Sequence, residues 1–394
     1  MKVKGKSLNE LIFVTYLWLF VLLKPILLAF SNISFYILLG TTILLLFYSL
    51  TFNYRKKDFV SIKFIYFAII IEIIFIGNTF FFKNELSFTI NYNIVLYCII
   101  TVYLFSKVED FNVVLKYYSF FSIIAFVLFS FDPFNDYGIF SSYMGFGYSL
   151  ILPCYLGLYI IRKRFHIKYF ILLEIFCVFE AIIYSNRGVI ISIIIFNLIY
   201  ELFVNKNSFK KFIKIVTAST IALIVFLNLK LIVDYLYSYL IARNQSSYSL
   251  LSIKGYLDNK NVSNLLSGRD VIWENSIYTF NKNPILGNGI GYFESKFNTY
   301  THNIFLDILI SFGLLGFIIL SITLAISFYK IIKTQDPSQK LFLMMAFILS
   351  FPKLLLSTTY YSEFYIWIIL FYTLISQTEK NKILPNKKVE VKNV

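Results

Sequence analysis

The chain holds two histidines among 394 residues, and histidine is the side chain whose ordinary pKa suits proton transfer near neutral pH. His166 lies in Arg162-Lys163-Arg164-Phe165-His166-Ile167-Lys168, a basic cluster that reads as a solvated connection. His302 lies in Thr301-His302-Asn303, at the polar mouth of an apolar run that starts at Ile304, with Asp307 one turn below Asn303. A lone histidine at such a boundary is more often structural than chemical. The arginines that share its polar segments favour chemistry here. Arg187 occupies a very short polar break, Asn186-Arg187-Gly188, between two apolar runs. It is there either to snorkel or to hold an anion. A guanidinium suits phosphate because its planar fork donates two parallel hydrogen bonds and stays charged. Arg243 and Arg269 would add to the same field, which is what a departing diphosphate needs as negative charge develops on it. No DxD, HExxH, GxSxG or Cys/His cluster is present, so the residues offer no metal site and no cofactor motif.

Membrane-spanning helices must position these residues. The chain is 58% hydrophobic and 14% charged, with a mean hydropathy of +0.73. A soluble domain has roughly 45–50% apolar and about 25% charged residues. An ordinary cytosolic enzyme, a disordered chain and a fibrous repeat are thereby excluded. The net charge of +15 does not indicate nucleic-acid binding, because the lysines and arginines fall in short clusters between apolar runs. Cys98, Cys154 and Cys177 all lie inside apolar runs, in no disulfide or zinc pattern. The apolar runs are continuous rather than alternating, which demands helices.

Twelve spans are expected, at 11–30, 33–52, 59–82, 90–106, 115–131, 143–161, 169–185, 189–204, 215–234, 304–326, 341–357 and 358–376. Clusters such as Lys2, Lys4 and Lys6, or Arg55, Lys56 and Lys57, recur on one side of this arrangement. The short connections on the other side carry only Lys83 and Arg187. The expected protein is therefore an all-α polytopic membrane protein with both ends cytoplasmic. Residues 1–234 hold nine spans, 235–303 one large extracytoplasmic loop, 304–376 three spans, and 377–394 a basic cytoplasmic tail. A polar connection as long as 235–303 is usually functional.

Within that loop, Ser267 is expected to cap a helix from Arg269 to about Lys282, stopped by Pro284. Arg269, Trp273, Ile277 and Phe280 would share its apolar face. Gly287, Gly289 and Gly291 alternate through the next segment and permit a tight turn or a close backbone approach. Gly313 and Gly316 are expected to let helices pack closely.

The stretch from Ser267 to Leu320 resembles the bacterial O-antigen ligase and polymerase family. That family's pattern is Arg and Trp four apart, Pro followed by Gly-x-Gly, then His-Asn opening a helix with Gly-x-x-Gly. Here these are Arg269, Trp273, Pro284, Gly287, Gly289, His302, Asn303, Gly313 and Gly316. Ser185-Asn186-Arg187-Gly188 is similar to the family's outer Ser-Arg-Gly, with one Asn inserted. The resemblance implies a metal-independent membrane glycosyltransferase that needs no cofactor. Its donor would be a glycan on undecaprenyl diphosphate, used at the outer face of the bacterial inner membrane. Arg187 and Arg269 would hold the diphosphate and His302 would deprotonate or orient the acceptor. Trp273, Arg243, Asn303, Asp307, Gly287 and Gly289 would line the substrate. Membrane lipids surround such a protein, and a chain-length regulator and a flippase of the same pathway are the implied partners. Within the family the expected activity is polymerisation of O-antigen or capsule repeats, with ligation of the finished glycan to lipid A-core as the alternative. A lipid-linked oligosaccharide flippase is a third reading, supported by acidic residues inside the apolar runs.

Overall fold

The computed structural model describes residues 7–29, 34–55, 60–84, 86–129, 143–203, 227–243, 247–259 and 268–375, and among them all regular structure is helical. The first half contains α1 (Leu8–Ala29), α2 (Ser34–Arg55), α3 (Ile62–Phe82) and α4, which runs Ser87–Ile94, a π-turn Val95–Ile100, and Thr101–Ser106. It continues with α5 (Phe111–Phe129) and α6, which runs Tyr143–Phe146, a π-turn Gly147–Ile151, and Leu152–Arg164. The hairpin α7 (Phe170–Tyr184) and α8 (Arg187–Phe203) follows. Four shorter helices come next: α9 (Leu229–Ile241), α10 (Tyr248–Asn259), α11 (Arg269–Phe280) and α12 (Tyr292–Phe297). Last are α13 (Ile304–Lys333), α14 (Pro337–Leu356) and α15 (Phe364–Ile375).

Among the described residues, seven helices are long and apolar enough to cross a membrane: α2, α3, α4, α5, α6, α13 and α14. Segments of α1, α8 and α15 are apolar but shorter. α1 lies at the centre, where Phe13, Tyr16, Leu17 and Trp18 are fully buried and the Trp18 ring packs 5.2 Å from that of Tyr118 on α5. Its Glu10 carboxylate is buried because it accepts hydrogen bonds from the Glu109 and Asp110 amides at the start of α5. α3 instead exposes Ile65, Tyr66, Ile69 and Ile73, as a helix facing hydrocarbon should.

Some expected boundaries move. The division at 234 falls inside α9, because Asp234 is neutralised by Lys254 of α10 at 2.7 Å and does not end the helix. The rest of the span expected at 215–234, and the tail 377–394, lie outside the described residues. The span expected at 358–376 begins only at Phe364. Residues 357–363 form an irregular turn around a 3₁₀ segment Tyr360–Ser362, whose Tyr360 carbonyl accepts from Trp367 Nε1 at 3.1 Å. Serines and threonines there compete with the helix for backbone hydrogen bonds.

The expected role of Gly313 is also corrected. It adopts φ 65° and breaks α13, where close helix packing had been expected. In an intact helix the Leu314 amide would donate to the Ile310 carbonyl. Here Leu314 N donates to Pro284 O at 2.8 Å, and Ile310 O accepts from Asn288 N at 2.6 Å. The two halves of one missing helical bond are both taken by the loop 284–288. This keeps irregular backbone satisfied inside a membrane-spanning element.

Candidate active site

Gly287, Gly289 and Gly291 have φ of 80°, 95° and 73°, so the alternate glycines do turn the chain tightly. Two of them also allow close approach. A Cβ on Gly287 would lie 2.6 Å from the Phe312 amide of α13, and one on Gly289 would lie 2.5 Å from Cβ of Phe82 of α3. Gly287 and Gly289 are thus wall and hinge of a clasp between α3 and α13. Asn78 Oδ1 accepts from Ile290 N, and Asn84 Nδ2 donates to Ile290 O, at 2.8 and 2.9 Å. Asn288, buried, donates from its side chain to the Thr279 carbonyl at 2.9 Å and so joins the clasp to the end of α11.

α11 carries Arg269 on its first turn and packs on α13. Gly268 occupies the cap position with φ 78° and no side-chain cap bond, while the cap expected of Ser267 falls outside the described residues. The expected apolar face is corrected too. Ile277 is 54% exposed and the buried positions are Ser276 and Thr279, because small residues let α11 approach closely. Trp273 is half-buried one turn from Arg269, and its Nε1 has no hydrogen-bond partner among the described residues.

His302 sits where the clasp segment meets α13. Its backbone is left-handed, φ 55°, a conformation that costs an L-residue about 1–2 kcal/mol and is found at functional sites. Thr301 holds it there: its hydroxyl donates to the Asn303 carbonyl at 3.0 Å and accepts from the Asn303 amide at 3.4 Å. The Tyr300 ring lies 4.0 Å from the imidazole, and the Tyr300 hydroxyl donates to Ser357 O at 2.8 Å. The imidazole Nδ1 is buried with no partner among the described residues. Burial, and then the nearby Arg269 charge, push the His302 pKa down to about 4. Its neutral form therefore prevails at neutral pH, as a base requires. Arg269 makes no hydrogen bond or ion pair among the described residues.

The turn 357–363 and the π-turn of α6 close the other side. Tyr148 lies beside Ser357 and within electrostatic range of Arg269, and its hydroxyl rests against Gly188. Gly188 follows Arg187, so Tyr148 links the α7–α8 hairpin to the His302 region. Arg187 is half-buried and reaches Ser252 of α10 at 3.4 Å. Asn186 caps α8, its Oδ1 accepting from Val189 N at 3.0 Å.

The other expected residues divide. Asn303 is the cap of α13: its Oδ1 accepts from the Phe305 and Leu306 amides at 2.9 and 3.4 Å. Asp307 is buried and faces Ser311, Tyr360 and Glu294. Glu294 accepts from Tyr361 at 3.0 Å, and burial raises its pKa. Arg243 is exposed at the end of α9 and lies over the Tyr239 ring at 4.4 Å. His166 is exposed, as a solvated loop residue should be. Sequence reading missed Tyr148, Asn288, Glu294, Tyr300 and the turn 357–363. Only the polarity of Ser357-Thr358-Thr359 within an apolar run pointed to any of them.

Among the described residues, fold and site are those of an all-helical, multi-pass membrane protein with a polar cluster where a broken helix meets its connecting segments. Residues 172–321 match the O-antigen ligase family model, which supports the O-antigen polymerase and ligase family, whose members are glycosyltransferase-like enzymes. The matched stretch includes Arg187, Arg269 and His302 but not Tyr148 or Ser357. No curated protein and no solved structure matches the chain.

Proposed function

We propose that the chain is a polymerase of surface polysaccharide, joining glycan repeats carried on undecaprenyl diphosphate at the outer face of the bacterial inner membrane. The observation that carries this reading is the neutral His302 imidazole, its Nδ1 buried and unpartnered, held beside Arg269 within the segment that matches the family. In the proposed step an acceptor hydroxyl attacks the anomeric carbon of the donor glycan. The bond from that carbon to the diphosphate oxygen breaks, and undecaprenyl diphosphate leaves with the bonding pair. His302 takes the hydroxyl proton, and the anomeric centre inverts. Arg269 stabilises the charge that develops on the diphosphate, with Arg187 supplying further positive field from the α7–α8 hairpin. Trp273 supplies a donor and a ring for the sugar. Both chain ends would then be cytoplasmic, with a chain-length regulator and a flippase as pathway partners.

Deleting the gene and examining both surface glycan and lipid-linked intermediates tests this. Single repeats on the lipid, or a surface glycan one repeat long, is the expected result. Long polymer stranded on undecaprenyl diphosphate would replace polymerase with ligase, using the same residues. Normal polymer at the surface would overturn both.

A further inference from the structure

A small cavity of about 90 Å3 lies where α1, α4, α6, α14 and α15 meet. Lys353, Glu363, Ser149 and Ser362 are among its lining residues. Polar and charged groups between membrane-spanning helices are expensive, and they mark places of function. Lys353 Nζ donates to Glu363 Oε2 at 2.7 Å, and Glu363 is buried. An ammonium has three donors, and among the described residues this is the one that Lys353 spends on the protein. The other two are left for whatever enters.

Two π-turns shape this cavity. Val95–Ile100 of α4 supplies Tyr97, and Gly147–Ile151 of α6 supplies Tyr148 and Ser149. π-turns are rare and are found frequently at functional sites. Here two of them, some fifty residues apart in the chain, serve one cavity. Tyr148 is the partition between that cavity and the candidate site: it also lies beside Ser357 and within electrostatic range of Arg269. Lys353 is one helical turn before Ser357, whose amide donates to the Lys353 carbonyl at 2.7 Å and whose own carbonyl accepts from Tyr300. The cavity therefore opens one turn of α14 from the residues that hold His302. Every described residue that lines it falls outside the matched stretch 172–321. Polymerases and ligases share that stretch and differ in their acceptor, so acceptor choice is expected outside it.

We infer that this cavity is the acceptor subsite, which receives one neutral hydrogen-bonding substituent of the acceptor glycan while the hydroxyl to be activated lies at His302. The inference rests on the polymerase reading above, in which the acceptor is a glycan repeat. The volume holds about three waters at roughly 30 Å3 each, which suits a hydroxymethyl or acetamido group and excludes a whole sugar ring. Such a group accepts from Lys353 and donates to Glu363 or the serines. A carboxylate or ammonium would place a like charge against one member of the pair, so charged substituents are disfavoured.

The test uses the full chain in lipid nanodiscs and single-repeat oligosaccharides obtained by partial hydrolysis of the host's surface polysaccharide. Binding is read by saturation-transfer NMR, which needs no sugar transfer. The protein should bind these oligosaccharides saturably. Lys353→Met with Glu363→Met removes both charges together, so no unpaired charge stays buried. It should weaken binding about tenfold through the lost charge-assisted hydrogen bonds. Ser149→Leu fills the cavity with the ion pair intact and should do the same, so the test holds if one of the two variants fails to fold. Arg162→Met with Glu174→Met makes the same change at another ion pair and should leave binding unchanged. Absent binding, or binding that ignores the folded cavity variants, would overturn the subsite. Binding that the cavity variants weaken, in a protein that transfers no sugar, would remove the glycosyltransferase reading alone. Transfer with binding unmoved by them would remove the subsite alone.

Discussion

Two polar regions inside this mostly apolar protein have opposite characters. In the first, charges are matched. Glu174 of α7 receives Arg162 of α6 through two hydrogen bonds of 2.5 and 2.6 Å. Glu174 is almost fully buried. In the second, Arg269 has no ion pair among the described residues, and His302 Nδ1 and Trp273 Nε1 are buried without partners. A buried polar group left unsatisfied costs about 1–3 kcal/mol, a cost that a bound ligand's polar groups could relieve at His302 and Trp273. The matched charges are explained by packing and give no support to a transport pathway through the membrane. The unmatched cluster is where the chemistry is proposed.

The comparison can be broken by experiment. The largest effect should come from His302→Ala: loss of a general base lowers kcat about a thousandfold, measured as transfer from a lipid-linked donor by the purified protein. Retention of a tenth of the activity would remove the base from the cluster. Glu174→Gln should act on stability instead. Leaving Arg162 half-buried without its carboxylate should cost about 3 kcal/mol in thermal unfolding, with transfer per folded molecule unchanged. If Glu174→Gln abolished transfer while the fold held, the division between the two regions would fail. Arg269→Lys keeps the charge and loses the fork. A reduction of about thirtyfold, falling on kcat more than on KM, follows from the loss of one charge-assisted hydrogen bond worth about 2 kcal/mol. Near-normal polymer would sink the diphosphate role.

The smallest effect is a shift in pH dependence. Since burial and Arg269 both lower the His302 pKa, to about 4, the base is lost only as the pH falls towards that value. The acid limb of kcat/KM should lie there. Arg269→Gln removes the second cause and should move the limb upward, while burial keeps it below the ordinary histidine value. An unmoved limb would show that another group titrates.

Much of this was legible without coordinates. Continuous apolar runs dictated helices, because a chain in hydrocarbon must satisfy its backbone locally. The α7–α8 hairpin falls at Asn186-Arg187-Gly188 as expected, and α13 begins at Ile304 after its Asn303 cap. The tight turn at Gly287, Gly289 and Gly291 was anticipated from three glycines at alternate positions. Composition, periodicity and turn residues are local properties, and they determined the class of the protein, most of its helices and the segments bearing the candidate residues.

The tertiary structure decided what those segments do to one another. Gly313 looks like any small residue in a helix, and its break exists only because Pro284 and Asn288, more than twenty residues earlier, take up the bond it gives away. Tyr300 and Tyr148 read as two more aromatics in a chain with 31 tyrosines. Their positions beside His302 and Gly188 depend on α6, the clasp and the turn 357–363 meeting in space. The low pKa of His302 arises in the same way, from burial and a guanidinium more than thirty residues distant in the chain. Local preference acts over a few residues, whereas burial, charge proximity and exchanged backbone bonds are fixed only once distant helices pack.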